Sequence, residues 1–379
     1  MRTSLYQFLD GIWSEHDKSQ SVNIKEINLV LCFGSKEILQ DESIYSNIKE
    51  KFPSAEIAIC STSGEIYQDS VNDDSLVAVA LEFEKTTIKA ASVNIKDYDN
   101  SYKAGVGLLK KLPKKNLTYA MVLSEGSLVN GSELVKGMST EINKNNLITG
   151  GLAGDGANFE STLLGLNKQP KEGEVIVVGF YGNNLHVTHG MQGGWDIFGL
   201  EKRVSKSSNN VLYELEGQNA LELYKKYLGP ESENLPGSAL LFPLSVVIPG
   251  ATKPIVRTIL SVNEKEKSMT FAGDIPEGST VRFMKANLNK ITNAASEAAF
   301  ETIKENKVKP DFALLISCIG RKLVLGEQTE AEIKAVSKAF NNETILAGFY
   351  SYGEISPFNE GGDCQLHNQT MTITSFYEI

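Results

Sequence analysis

Three stretches of this chain end alike. IAICSTSGE (Ile57–Glu65), LITGGLAGD (Leu147–Asp155) and LAGFYSYGE (Leu346–Glu354) align without gaps, and each closes on a glycine followed by an acid. Each is preceded by an apolar, β-rich run: INLVLCF before Gly34, TYAMVLS before Glu125-Gly126, and DFALLISCI before Gly320. The closing glycines Gly64, Gly154 and Gly353 follow those stops by 30, 28 and 33 positions. Between stop and close lie one-faced stretches, with Ile44, Ile48 and Phe52, with Leu134, Met138 and Ile142, and with Ile333, Val336 and Phe340 at helical spacing. Continuous apolar runs bounded by glycine fit strands buried on both faces. The chain is therefore predicted to hold three copies of one strand–helix–strand unit, each a right-handed parallel crossover. The fold class is α/β: repeated strand–helix–strand units with additional antiparallel β-hairpins, in layered sheets covered by helices.

The segments between the units are β-rich. Asp73–Ile95 and Glu174–Trp195 read as hairpins, the second turning at Gly182-Asn183-Asn184. GQNALELYKKYLG (Gly217–Gly229) reads as a helix with a glycine stop. Pro243 demotes SALLFPLSVVIPG to an edge or broken strand, and QTMTITSFYEI reads as a terminal strand.

Charge and length of the apolar runs exclude several functions. The chain carries 37 Lys and Arg against 47 Asp and Glu, a net charge of −10, and no basic stripe for nucleic acid. No apolar run approaches the ~18 residues of a membrane-spanning helix, so no membrane insertion is expected. The first twenty residues lack the apolar core of an export signal, which points to the cytoplasm. Cys32, Cys60, Cys318 and Cys364 then read as free thiols of a reducing compartment.

Several residues stand out as candidates for chemistry. GGLAGDG, holding Gly151 and Gly154, lets a ligand approach the backbone and offers N–H groups to an anion; it reads equally as a tight structural turn. Arg321 follows a buried strand, where a guanidinium can grip a carboxylate with two hydrogen bonds or form an ion pair. Tyr350 and Tyr352 alternate with Phe349 and Ser351. Asp155 and Glu354 occupy equivalent positions, suited to an ammonium group or to capping. Asn368 and Thr370 share a face at the start of the last strand. His16, His186, His189 and His367 are scattered and imply no metal site. Cys318 with His367 is a thin candidate for a thiol nucleophile and its base.

At GGLAGDG, SCIGRKLVLG, GFYSYGEI and HNQTMTIT the sequence resembles the FIST family, sensory domains of signal-transduction proteins described as an N-terminal and a C-terminal half. The resemblance implies residues 27–216 as the N-terminal half and 217–379 as the C-terminal half, after a helical lead-in at 1–26. It implies a cytoplasmic sensor of a small ligand, an amino acid or related metabolite, with no cofactor. Many members carry a fused output domain; here the last motif ends five residues before the final one, so the output is expected to come from a separate partner protein. The ligand is expected where the third unit meets the glycine-rich turn. Arg321 takes its carboxylate, Tyr350 or Tyr352 covers its apolar part, and Asp155 or Glu354 takes its amine. Gly151 and Gly154 supply close backbone, and Asn368 and Thr370 line the pocket. The alternative is a cysteine-dependent hydrolase or transferase using Cys318.

Overall fold

The three expected crossovers form. Leu29–Gly34 runs parallel to Glu56–Ser61, Leu117–Ser124 to Leu147–Leu152, and Phe312–Cys318 to Ile345–Ser351. Helices Glu42–Lys51, Gly131–Ser139 and Thr329–Ala339 join the members of each pair. The first two begin at side-chain caps, Asp41 accepting from the Ser43 N–H and Asn130 from the Glu133 N–H. These features come from a computed structural model that describes residues 1–17, 19–143, 146–304, 308–358 and 362–379.

Each unit builds a six-stranded sheet, and the three sheets share strands in a ring. Beside the first strand of each parallel pair lies an antiparallel strand: Leu76–Glu82, Glu174–Tyr181 or Met371–Glu378. A further antiparallel strand follows: Arg2–Leu9, Thr87–Asn94 or Leu185–Gln192. On the other side, the second strand of each pair accepts a short strand from a neighbouring unit. Glu65–Tyr67 of the first unit pairs with Ile345–Ser351 of the third. Gly353–Pro357 of the third pairs with Leu147–Leu152 of the second, and Leu164–Leu166 of the second with Glu56–Ser61 of the first.

The double burial of the strands follows from this ring. Alternate side chains of all three sheets meet in one central core, among them Leu31 and Phe33, Met121 and Leu123, and Leu314 and Ile316. Phe33 of the first unit stacks on Phe349 of the third at 5.0 Å between centroids. The intervening residues face outward onto helices: Val30 and Cys32 onto Ile44 and Ile48, Ala120 and Val122 onto Leu134 and Met138, Ala313 and Leu315 onto Ile333 and Val336.

Between the strand Leu185–Gln192 and the helix Leu288–Ile303 the third unit carries an inserted lobe. Its eight-stranded antiparallel sheet runs from Asp196 to Lys285 and packs around the helix Ala220–Leu228. The boundary drawn at 216/217 falls inside this lobe, between Val211–Leu215 and its partner Gln218–Asn219.

Four expectations need correction. The lead-in is no helix: Arg2–Leu9 and Ile12–Glu15 form a hairpin. Its turn is Asp10-Gly11, with φ 51° and 79°, the positive pair that a tight two-residue hairpin turn uses. The segments 73–95 and 174–195 supply strands but no hairpins. In both, the first strand stays in one sheet and the second joins the next. The connection at Glu84–Thr86 is held instead by Glu378 of the last strand, whose carboxylate accepts from three successive backbone N–H groups at 2.8–3.0 Å. Pro243 does break its run, with the helical turn Gly237–Leu241 before it and the strand Leu244–Val247 after it, but that strand is paired on both sides and is no edge. Finally, the gapless alignment slips by one in the second unit. Phe33 faces Cys60 and Ile316 faces Phe349, but Leu123 faces Gly151, one place beyond the aligned Gly150.

Candidate functional site

The repeated Gly-acid endings interlock. The Ser63 N–H donates to the Tyr350 carbonyl at 2.9 Å, and the Tyr350 N–H to the Gly64 carbonyl at 2.8 Å. The Gly154 N–H donates to Ser61 at 3.0 Å, the Gly156 N–H to Thr62 at 3.1 Å, and the Tyr352 N–H to Leu152 at 3.2 Å. Every unit thus touches both others through the backbone that follows its second strand. The close approach explains the glycines. A Cβ on Gly154 would collide with Ser63 Oγ and stand 3.0 Å from the Ser63 nitrogen. Gly64 holds φ 132° and leaves room for the Lys322 ammonium, 2.6 Å from where a Cβ would be.

Around this knot, at the carboxyl ends of the parallel strands, lies a cleft of about 480 Å³. Ser35, Thr62–Glu65, Asp155–Asn158, Ile319 and Lys322 bring residues of all three units to it, with Asp73 and Asp74 on its rim. Carboxyl ends of strands in α/β sheets are where ligands settle. A larger hollow of about 590 Å³ lies at the amino ends, beside Thr118 and Leu147, and none of the three repeated Gly-acid endings lines it.

The charges in the cleft are arranged, not scattered. Lys322 donates to the Ser63 carbonyl at 2.9 Å and pairs with the Asp73 carboxylate. Its ammonium lies 5.8 Å from the Tyr350 ring centroid. Glu65 is buried on the floor, accepting from the Thr62 hydroxyl and from the Ser75 N–H and hydroxyl at 3.2 and 2.7 Å. Burial lifts its carboxyl to about 7 against that support. Asp155 accepts from the N–H groups of Phe159, Glu160 and Ser161 at 2.9–3.1 Å and from the Tyr352 hydroxyl, with Lys36 at 3.6 Å. Among the described residues Glu37, Glu65, Asp73, Asp74 and Asp155 therefore share the lining with one cation, Lys322, while Lys36 meets Asp155 from outside the lining.

The residues singled out in the sequence divide into three groups. Asp155 lines the cleft, with Gly154 in the knot beneath it and Tyr352 behind, its ring stacked on Phe159 at 4.6 Å. Gly151 lies within the strand, opposite Glu354 and against Ile316. Arg321 and Tyr350 belong elsewhere. Arg321 is fully buried, and all five of its N–H donors have protein acceptors: Glu332 twice, at 3.0 and 2.7 Å, and the carbonyls of Ile291, Gly193 and Gln369 at 2.9, 2.5 and 3.5 Å. The Tyr350 hydroxyl gives its proton to the same Glu332 at 2.7 Å. No donor of Arg321 remains for a carboxylate; the neighbouring Lys322 supplies the cation of the cleft.

Glu354, Thr370 and Asn368 gather at a different junction of the ring. Glu354 is fully buried and accepts from the Ser351 hydroxyl at 2.9 Å and from the Thr370 N–H and hydroxyl at 3.1 and 2.8 Å. Burial raises its carboxyl to about 8. Cys318 is buried nearby with its thiol pushed up by burial, the reverse of an activated thiolate. The ring of His367 turns to the Ser356 carbonyl at 2.9 Å, and burial holds it near 4, neutral at physiological pH. Among the described residues, no three His, Cys, Asp or Glu side chains are gathered as a metal would require. No described helix is long and apolar enough to cross a membrane.

Two comparisons bear on this arrangement. The FIST N domain matches residues 28–218, and the FIST C domain matches residues 220–357. An uncharacterized protein of Methanocaldococcus jannaschii is 22% identical over 357 residues, covering 83% of this chain and 66% of that protein. The chain thus spans less than two thirds of that relative's length.

Proposed function

The chain belongs to the FIST family, sensory domains of signal transduction held to bind small ligands, and on that premise we propose that it is a cytoplasmic sensor of an amino acid or closely related metabolite, acting through a separate partner protein. One observation carries the reading: the cleft at the strand ends joins turns from all three units and sets one ammonium among several carboxylates. A zwitterion suits that pattern. Its carboxylate replaces Asp73 on Lys322, and its ammonium faces Asp73 and Asp155. The excess of acids favours a ligand with a free amine over a simple carboxylic acid. Because the ligand touches turns of all three units, occupancy tightens the ring, which is a physical route from binding to a signal that a partner can read.

The cysteine-dependent alternative draws no support from a buried thiol whose proton is held more tightly than usual. A thermal-shift panel of amino acids, amines and carboxylic acids tests the proposal. Amino acids should raise the melting temperature of the wild type and leave Lys322→Ala unmoved. A panel in which no amino acid stabilises the wild type would count against it.

A further inference from the structure

Two junctions of the ring carry the same turn, and only one of them opens on the cleft. At the first, Asp73 precedes Asp74, which has φ 55°, and Ser75. The Ser75 N–H and hydroxyl hold Glu65, and its carbonyl accepts from the Ser35 N–H at 3.0 Å. At the second, Asn368 precedes Gln369, with φ 61°, and Thr370. The Thr370 N–H and hydroxyl hold Glu354, and its carbonyl accepts from the Cys318 N–H at 3.1 Å. Asn368 is therefore the counterpart of Asp73.

The two counterparts have different surroundings. Asp73 is exposed and paired with Lys322. Asn368 is fully buried, and among the described residues neither its amide nitrogen nor its amide oxygen meets a partner. The side-chain oxygen of the adjacent Gln369 is likewise buried without one. The inserted lobe and the segment leading to it close over this turn. Trp195 Nε1 donates to the Gln369 carbonyl at 2.8 Å, Gln369 Nε2 to the Leu240 carbonyl at 3.5 Å, and Arg257 to the Leu366 carbonyl at 3.0 Å. A primary amide that loses water and gains no partner is costly, and buried polar groups in native proteins are almost always satisfied.

We propose that this second junction is a closed binding site for a small uncharged molecule that both donates and accepts hydrogen bonds, held by the Asn368 amide and the Gln369 side-chain oxygen beneath the inserted lobe. An amide, a urea or an alcohol has the required chemistry. Neutrality follows from Asn368 and Gln369 standing where the first junction carries the two acids Asp73 and Asp74. The charges nearby are already met: Arg321 by Glu332, and Arg257 by carbonyl oxygens with Asp274 close by. Burial also favours the proton on Glu354 and on the Cys318 thiol, so neither asks for a cation. This site is separate from the strand-end cleft and does not depend on what that cleft binds.

The test is mass spectrometry of small molecules freed by denaturing the natively purified protein. Wild type and Lys322→Ala should both release the same neutral polar compound in stoichiometric amount, and Asn368→Leu should release none. The Lys322→Ala arm separates this site from the cleft, whose ligand that variant loses. A wild type that releases no such compound overturns the proposal. In that case Asn368→Leu should melt higher than the wild type, because leucine relieves an amide that water alone had left poorly matched. If Asn368→Leu does not fold, the wild-type and Lys322→Ala releases decide the question by themselves.

Discussion

Arg321 and Lys322 are neighbours in sequence with opposite fates, and the difference lies in what faces each. Successive residues of a helix point about 100° apart, so one of the pair turns inward. Glu332, fully buried on the helix Thr329–Ala339, captures the guanidinium, and the ammonium is left to the cleft. Arg321→Ala leaves Glu332 as an uncompensated buried charge. It should destabilise the fold by about 3–5 kcal/mol in chemical denaturation; a loss below about 1 kcal/mol would show that the pair is not structural. The buried acids make a second residue-scale prediction. The folded carboxyls of Glu65 and Glu354 lie near 7 and 8, above their ordinary value of 4.5. The folded chain therefore holds protons that the unfolded chain has released, and stability contributed by these two groups falls as pH rises from about 4.5 to about 8. Melting temperatures across that window should decline less steeply in Glu65→Gln/Glu354→Gln than in the wild type. Identical slopes would show that the two carboxyls are ionised in the fold.

At the scale of elements, the crossovers were legible and the pairings were not. Apolar runs such as Leu29–Phe33 and Phe312–Ile316 announce strands covered on both faces, and the spacing of Ile44, Ile48 and Phe52 announces the helix between two of them. A strand's partner, however, is chosen by the whole ring. Leu76–Glu82 and Thr87–Asn94 are adjacent in sequence with a short connection, which reads as a hairpin, yet each finds a better-buried neighbour far away. The Gly-acid endings were visible; that they hand strands around a ring was not, because one unit's ending is completed by another unit's backbone. Arg321 was misread for a similar reason, since nothing local marks Glu332 as its partner. The hairpin at the amino terminus did carry a signal, Asp10-Gly11, between alternating residues. The exchange itself can be tested through Ile66. It sits in a three-residue strand of the first unit but is buried in the core of the third, with Ala313 and Leu315. Ile66→Ala should cost about 2–5 kcal/mol in denaturant melts, as for a core position. A cost near zero would mean that the exchanged strand contributes little to holding the units together.

For the whole molecule, the ring turns a local repeat into a site. No unit can form the cleft alone: Glu65 comes from the first, Asp155 from the second and Lys322 from the third. Under the proposed reading a ligand is reported through the tightness of the ring; the inserted lobe is attached by strands whose ends lie side by side, Asp196 opposite Lys285. Calorimetric titration of an amino acid selected by thermal shift, into the wild type and into Lys322→Ala, tests the central claim most directly. A charge-assisted hydrogen bond contributes about 1.5–3 kcal/mol, so the variant should bind roughly 10- to 150-fold more weakly while unfolding like the wild type. Equal affinities for the two proteins would contradict a ligand site built on Lys322 at the meeting point of the three units.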